Sequence, residues 1–179
     1  SVTKDQSIGF LNAWNAERDH RQRIYITYDS TNKNCQAGDV DIVEFGHAKE
    51  DKGLPVLNIA IAYDKANKVP LFYEEYPGSI NDVSQLQFMV DKVHEYGYRR
   101  MGFILDRGYF SKHNIRYMDE QGYHFIIMVK GMKDLVSGLV KSRKGSFETD
   151  RDCSIRAYRV YGTTVRQNLF ADDTKGRWF

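Results

Sequence analysis

The chain has 179 residues, 41% hydrophobic and 28% charged, with a formal net charge of +2. That length suits one domain of ordinary size with a real core, and the composition excludes a disordered or collagen-like chain. No apolar run reaches the roughly 18 residues of a membrane span, and Ser1-Val2-Thr3-Lys4-Asp5 lacks the apolar stretch of a signal peptide.

Residues 5–20 hold Ile8, Leu11, Ala13 and Trp14 among polar residues, a weak helical pattern that reads as the trailing end of an upstream segment. Because the chain does not start with Met, it reads as an excised fragment. Arg23-Ile24-Tyr25-Ile26-Thr27-Tyr28 is β-branched and aromatic, and Asp29-Ser30-Thr31-Asn32 offers a turn, so a first strand is predicted to stop there. Residues 33–53 are polar and read as a loop. Two further strand-like runs, Leu54 to Tyr63 and Val69 to Tyr76, flank a hairpin at Asp64-Lys65-Ala66-Asn67-Lys68.

The period then changes. Ser79-Ile80-Asn81-Asp82 carries a helix-start signal, Val83, Leu86, Val90 and Val93 recur at three- and four-residue spacing, and Gly97 supplies a stop. Asn81 and Asp82 read as capping residues, with lining of a crevice as the alternative. Met101 to Leu105 reads as an interior strand, Ser111 to Gln121 as a helix, His124 to Val129 as a second buried strand, and 132–143 as a helix. The predicted order is three strands, helix, strand, helix, strand, helix. Residues 146–179 turn β-rich, with Gly162 between two such runs.

Asp29 directly follows one apolar strand, and Asp106 follows another. If those strands are parallel neighbours, their carboxyl ends lie about 5 Å apart, at the edge where open α/β sheets bind ligands. Two carboxylates so close repel unless a cation lies between them, and Mg²⁺ suits hard oxygen ligands. Asp-Ser-Thr-Asn and Asp-Arg-Gly are equally good turn sequences, so either aspartate alone has a plainer reading. Charge points to a polyanion or to a merely solvated surface. Residues 1–89 carry 9 Lys and Arg against 13 Asp and Glu, whereas residues 90–179 carry 17 against 11. Cys35 and Cys153 provide neither a disulfide framework nor a four-ligand zinc set, which fits a reducing, cytoplasmic setting. No histidine pair has metal-ligand spacing, and no phosphate-binding glycine motif occurs.

The run of motifs resembles the catalytic domain of insertion-sequence DDE transposases, which share a ribonuclease H-like fold. The carrying residues are Tyr25-Ile26-Thr27-Tyr28-Asp29-Ser30-Thr31, Phe45-Gly46-His47-Ala48-Lys49 and Leu54-Pro55-Val56-Leu57-Asn58. They continue with Tyr76-Pro77-Gly78-Ser79-Ile80-Asn81-Asp82, Ile104-Leu105-Asp106-Arg107-Gly108-Tyr109-Phe110-Ser111 and a strand ending at Val129-Lys130. The resemblance implies an α/β fold, a ribonuclease H-like mixed sheet of about five strands flanked by helices. It implies a catalytic core over 23–145, preceded by 1–22 and followed by the start of a β-rich insertion over 146–179.

It also implies that Asp29 and Asp106 are the first two members of an acidic triad that binds two Mg²⁺ or Mn²⁺ ions. With those ions, water and then a freed 3′-hydroxyl attack a DNA phosphodiester, with no covalent protein–DNA intermediate. The implied partners are double-stranded DNA, both transposon ends and target, and further copies of the chain in a dimer or larger assembly. Lys49, with His47, Arg107 and Lys130 become candidate DNA-phosphate contacts; each reads equally as a solvated or turn residue. The third acid should be a glutamate on a helix beyond the last core strand. Glu148 lies in no helical pattern and Glu120 follows the fourth strand too closely, so neither is assigned and the fragment is expected to be catalytically incomplete. The rivals are a metal-dependent nuclease or resolvase, and a DNA-binding remnant that has lost its chemistry.

Overall fold

In a computed structural model the described residues are 2–17, 24–98 and 100–179. Arg23 and His20 lie outside them. The contacts divide the chain into two compact units, one ending at Lys130 and the other spanning Gly131–Phe179.

The first unit holds α1 (Lys4–Ala16), β1 (Ile24–Asn34), β2 (Val56–Asp64), β3 (Val69–Pro77), α2 (Asp82–Glu95), β4 (Met101–Leu105), α3 (Lys112–Glu120) and β5 (His124–Ile127). Its five-stranded sheet runs β3-β2-β1-β4-β5. β1, β2 and β3 pair antiparallel, whereas β4 and β5 join in parallel. This mixed α/β sheet of five strands flanked by helices is the architecture that the resemblance implies.

The β2–β3 hairpin turns where Asp64, fully buried, accepts from the N–H groups of Ala66 and Asn67 at 2.9 and 3.2 Å. Along the strands residues alternate between two faces. Ile26, Tyr28, Ala60, Ala62, Phe72, Phe103 and Leu105 are buried on one face. α2 closes over that face with Leu86, Met89, Val90 and Val93, each fully buried and contributing about 1.5–3 kcal/mol. α3 adds Ile115 and Met118 to the buried set. None of the described helices is long and apolar enough to cross a membrane.

A charged group lies inside this core. Glu74 accepts from Gln85 Nε2 at 2.8 Å and lies 2.5 Å from Lys92 Nζ, while its own side chain is almost wholly enclosed. Lys92→Met strands a buried carboxylate and is expected to cost about 3 kcal/mol. The double variant Glu74→Gln/Lys92→Met should recover most of that loss in a denaturant titration, because the carboxylate charge is then gone.

The structure corrects several boundaries. β1 does not turn at Asp29 but runs on to Asn34, since β2 continues to pair with it from Asp29 opposite Ile61 to Asn34 opposite Val56. On the other side β4 has already ended, and asparagine side chains replace its ladder. Asn32 donates to the His47 carbonyl at 2.8 Å and accepts from Lys49 N–H at 3.0 Å; Asn34 does the same with Asp51 at 2.8 and 3.0 Å. α2 begins at Asp82, and of the two capping candidates Asn81 is the cap, its side chain accepting from Ser84 N–H at 3.0 Å.

β5 is not an interior strand. It ends at Ile127, three residues before Lys130, and Ile126 within it and Met128 just after it stand open, at 66% and 61% exposure. It is the last strand of the sheet, so its continuous apolar run does not report cover on both faces.

The second unit contains α4 (Lys133–Arg143), which buries no residue, and four two-residue strands. β6 (Ser154–Ile155) pairs antiparallel with β7 (Val160–Tyr161), and β8 (Arg166–Gln167) with β9 (Arg177–Trp178). α4 falls within the second of the two compact units.

Candidate active site

β1 and β4 lie side by side and parallel, with Tyr28 opposite Leu105. Both of those side chains are buried on the helix-covered face, and both are followed by an exposed aspartate, Asp29 and Asp106. Alternation therefore turns the two carboxylates to the opposite face, at the same level, on strands about 5 Å apart.

Each carboxylate is held from behind by its own chain. Asp29 Oδ1 accepts from Ser30 N–H at 2.9 Å, and Asp106 Oδ1 accepts from Arg107 N–H at 2.6 Å as it caps the short 3₁₀ turn Arg107–Tyr109. Among the described residues no hydrogen bond or ion pair engages the second oxygen of either. Two exposed hard oxygen donors on neighbouring strands, with no ion pair to a cation among the described residues, fit a divalent ion that keeps most of its waters for substrate phosphates. Among the described residues no three His, Cys, Asp or Glu side chains gather into a complete metal-binding set.

The candidate cations lie at different places. Lys49 Nζ donates to the Ser30 carbonyl at 2.9 Å, one residue from Asp29, because the Asn32 bonds to His47 and Lys49 lay this loop along β1. Arg107 is exposed beside Asp106, and Lys130 is exposed beyond β5 at the carboxyl end of the parallel strands. Of the unassigned glutamates, Glu148 accepts from Gly145 N–H at 2.7 Å and Phe147 N–H at 3.3 Å in the second unit. Those N–H donors, Gly145 first, hold its carboxyl below the usual range. Glu120 is exposed at the end of α3.

Asp82 does not act as the helix cap, the first of its two sequence readings. Asn81 takes the capping bond, and the Asp82 carboxylate instead accepts from Ser30 Oγ at 2.6 Å and Tyr76 Oη at 3.0 Å. The presence of two successive capping-type residues, only one of which a helix can use as its cap, is the signal that could have found it. Burial, then the charge of Asp82, pushes the Tyr76 phenol well above the usual tyrosine range. Burial does the same to Tyr109, eased by the Ser30 hydroxyl and reinforced by Asp82, Tyr76 and Asp29. Both phenols therefore stay protonated at neutral pH.

The profile of the transposase DDE domain family matches residues 26–178, from β1 to the penultimate residue. The chain belongs to this family. Several solved transposases are similar in structure to this DDE domain, all at low identity. They include a piggyBac transposase synaptic complex with hairpin DNA, with a TM-score of 0.43, 13% identity, and 68% of this chain and 26% of that one covered. A Mos1 transposase paired-end complex with the left transposon end gives 0.42, 10%, 80% and 50%. The catalytic domain of Mos1 mariner transposase gives 0.38, 10%, 79% and 73%. This DDE domain thus spans about a quarter of the first and half of the second. No curated protein matches it.

Proposed function

We propose that this DDE domain is the catalytic part of a DNA transposase, cleaving and joining strands at the ends of an insertion sequence with Mg²⁺ or Mn²⁺. Asp29 and Asp106 are the residues that hold the metal. The supporting observation is that the parallel β1–β4 pair sets two exposed carboxylates at one level on one face. Divalent ions bound there supply Lewis-acid activation of the attacking and leaving oxygens of a phosphodiester.

The chain's own contribution is placement. The N–H groups of Ser30 and Arg107 orient one oxygen of each carboxylate and leave the other for the metal. Lys49, Arg107 and Lys130 offer positive charge to DNA phosphates around the crevice, and residues 146–179 are the opening of a β-rich insertion. The partners are double-stranded DNA, transposon ends and target, engaged by a dimer or larger assembly of the transposase.

A Mn²⁺ titration followed by melting temperature tests the metal reading. Binding to the folded state alone stabilises by about 2.7 kcal/mol at a hundredfold excess over Kd, which is a rise of several degrees. Asp29→Asn should remove that rise. A wild-type melting temperature indifferent to millimolar Mn²⁺ overturns the reading.

A further inference from the structure

Asp82 touches both segments that carry the paired aspartates, yet it comes from the other side of the sheet. Ser30 follows Asp29 in β1, so its side chain points to the helix-covered face, where its hydroxyl donates to Asp82 Oδ1 at 2.6 Å. Tyr76, buried on that same face, donates to the same oxygen at 3.0 Å. The other carboxylate oxygen faces the turn after Asp106. A Cβ placed on Gly108 would stand 3.2 Å from Asp82 Oδ2, so the backbone there rests directly against the carboxylate. A favourable helix dipole explains an acid in the first turn of α2, but it does not explain two hydroxyls and a glycine converging on it.

We propose that Asp82 is a positioning residue, which pins Ser30 and Gly108 to the start of α2 and so fixes the separation of Asp29 and Asp106 for metal binding. It is not itself a ligand, because it lies on the face away from the two carboxylates. The inference rests on the metal reading of that pair. Groups that orient metal ligands from behind commonly control affinity by 10- to 100-fold.

The test compares Mn²⁺ midpoints, read from melting temperature, for the wild type, Asp82→Ala, Ser30→Ala, the double variant and Asp29→Asn. Asp82→Ala should raise the midpoint at least about tenfold while a response to saturating Mn²⁺ remains. Ser30→Ala, which removes one hydroxyl and little packing, should reproduce part of that shift, and the double variant should go no further than Asp82→Ala alone. If Asp82→Ala does not fold, Ser30→Ala decides by itself. Unchanged midpoints in both variants overturn the proposal. So does complete loss of response in Asp82→Ala, matching Asp29→Asn, since that is the behaviour of a ligand. A wild type that ignores Mn²⁺ brings down the underlying metal reading and this inference with it, so the wild-type titration separates the two failures.

Discussion

Asp29→Asn and Asp106→Asn, made in the proposed full-length transposase, will each lower Mg²⁺-dependent strand cleavage at least about 1000-fold while leaving the domain folded. The size follows from the several kilocalories per mole that a positioned divalent ion contributes at a phosphodiester, with each 1.36 kcal/mol worth a factor of ten. Asparagine keeps the shape and an oxygen that can accept from the N–H of Ser30 or Arg107, so the strand ends stay as they are. What it removes is one of the negative charges that attract the ion. The same loss relieves repulsion between two like charges on adjacent strands, so the metal-free melting temperature should hold or rise. Nicking and joining of an end-labelled DNA substrate, alongside thermal melts without metal, checks both halves. Cleavage that survives in either variant removes that aspartate from the chemistry.

The largest effects on stability are expected at two glycines packed against backbone. Gly46 and Gly78 lie where the segment before Lys49 crosses the end of β3. A Cβ on Gly46 would stand 1.8 Å from the Gly78 carbonyl oxygen, and one on Gly78 would stand 2.1 Å from the Val56 carbonyl and 2.5 Å from that of Glu44. All of these neighbours are backbone, and Glu44 and Val56 are already bridged to each other at 3.0 and 2.8 Å, so none can step aside cheaply. Gly46→Ala or Gly78→Ala should each cost about 3 kcal/mol or more, a fall in melting temperature of roughly 10 °C. Gly9→Ala is the contrast. Gly9 sits inside α1 with no atom near its missing Cβ, and alanine there should stabilise by about 0.5–1 kcal/mol. A Gly46→Ala protein that melts like the wild type would falsify the close seating of the loop that carries Lys49.

Much of the architecture was legible along the chain because its physical signals are local. The alternation in 56–64 and 69–77, the three- and four-residue spacing from Val83 to Val93, and Gly97 and Gly122 with positive φ after their helices are properties of short windows. Asp29 and Asp106 stood out for the same reason, each ending an apolar run. The misreadings were non-local. Asp-Ser-Thr-Asn is a good turn in isolation, yet β2, some 30 residues onward, holds it extended. The apolar run of β5 resembles an interior strand, and only its place at the margin of the sheet leaves Ile126 and Met128 in the open.

The sequence by itself determined the order and type of the core elements and the family, and it singled out the two aspartates of the proposed site, since each is written in residue types and short spacings. Only the tertiary structure decided which strands are neighbours, and with it that Asp29 and Asp106 share a level and a face. It alone brought Asp82 against Ser30 and Gly108. Those contacts join residues 26 and 52 positions apart, and packing of the whole sheet against α2, rather than any propensity of the intervening chain, sets that distance.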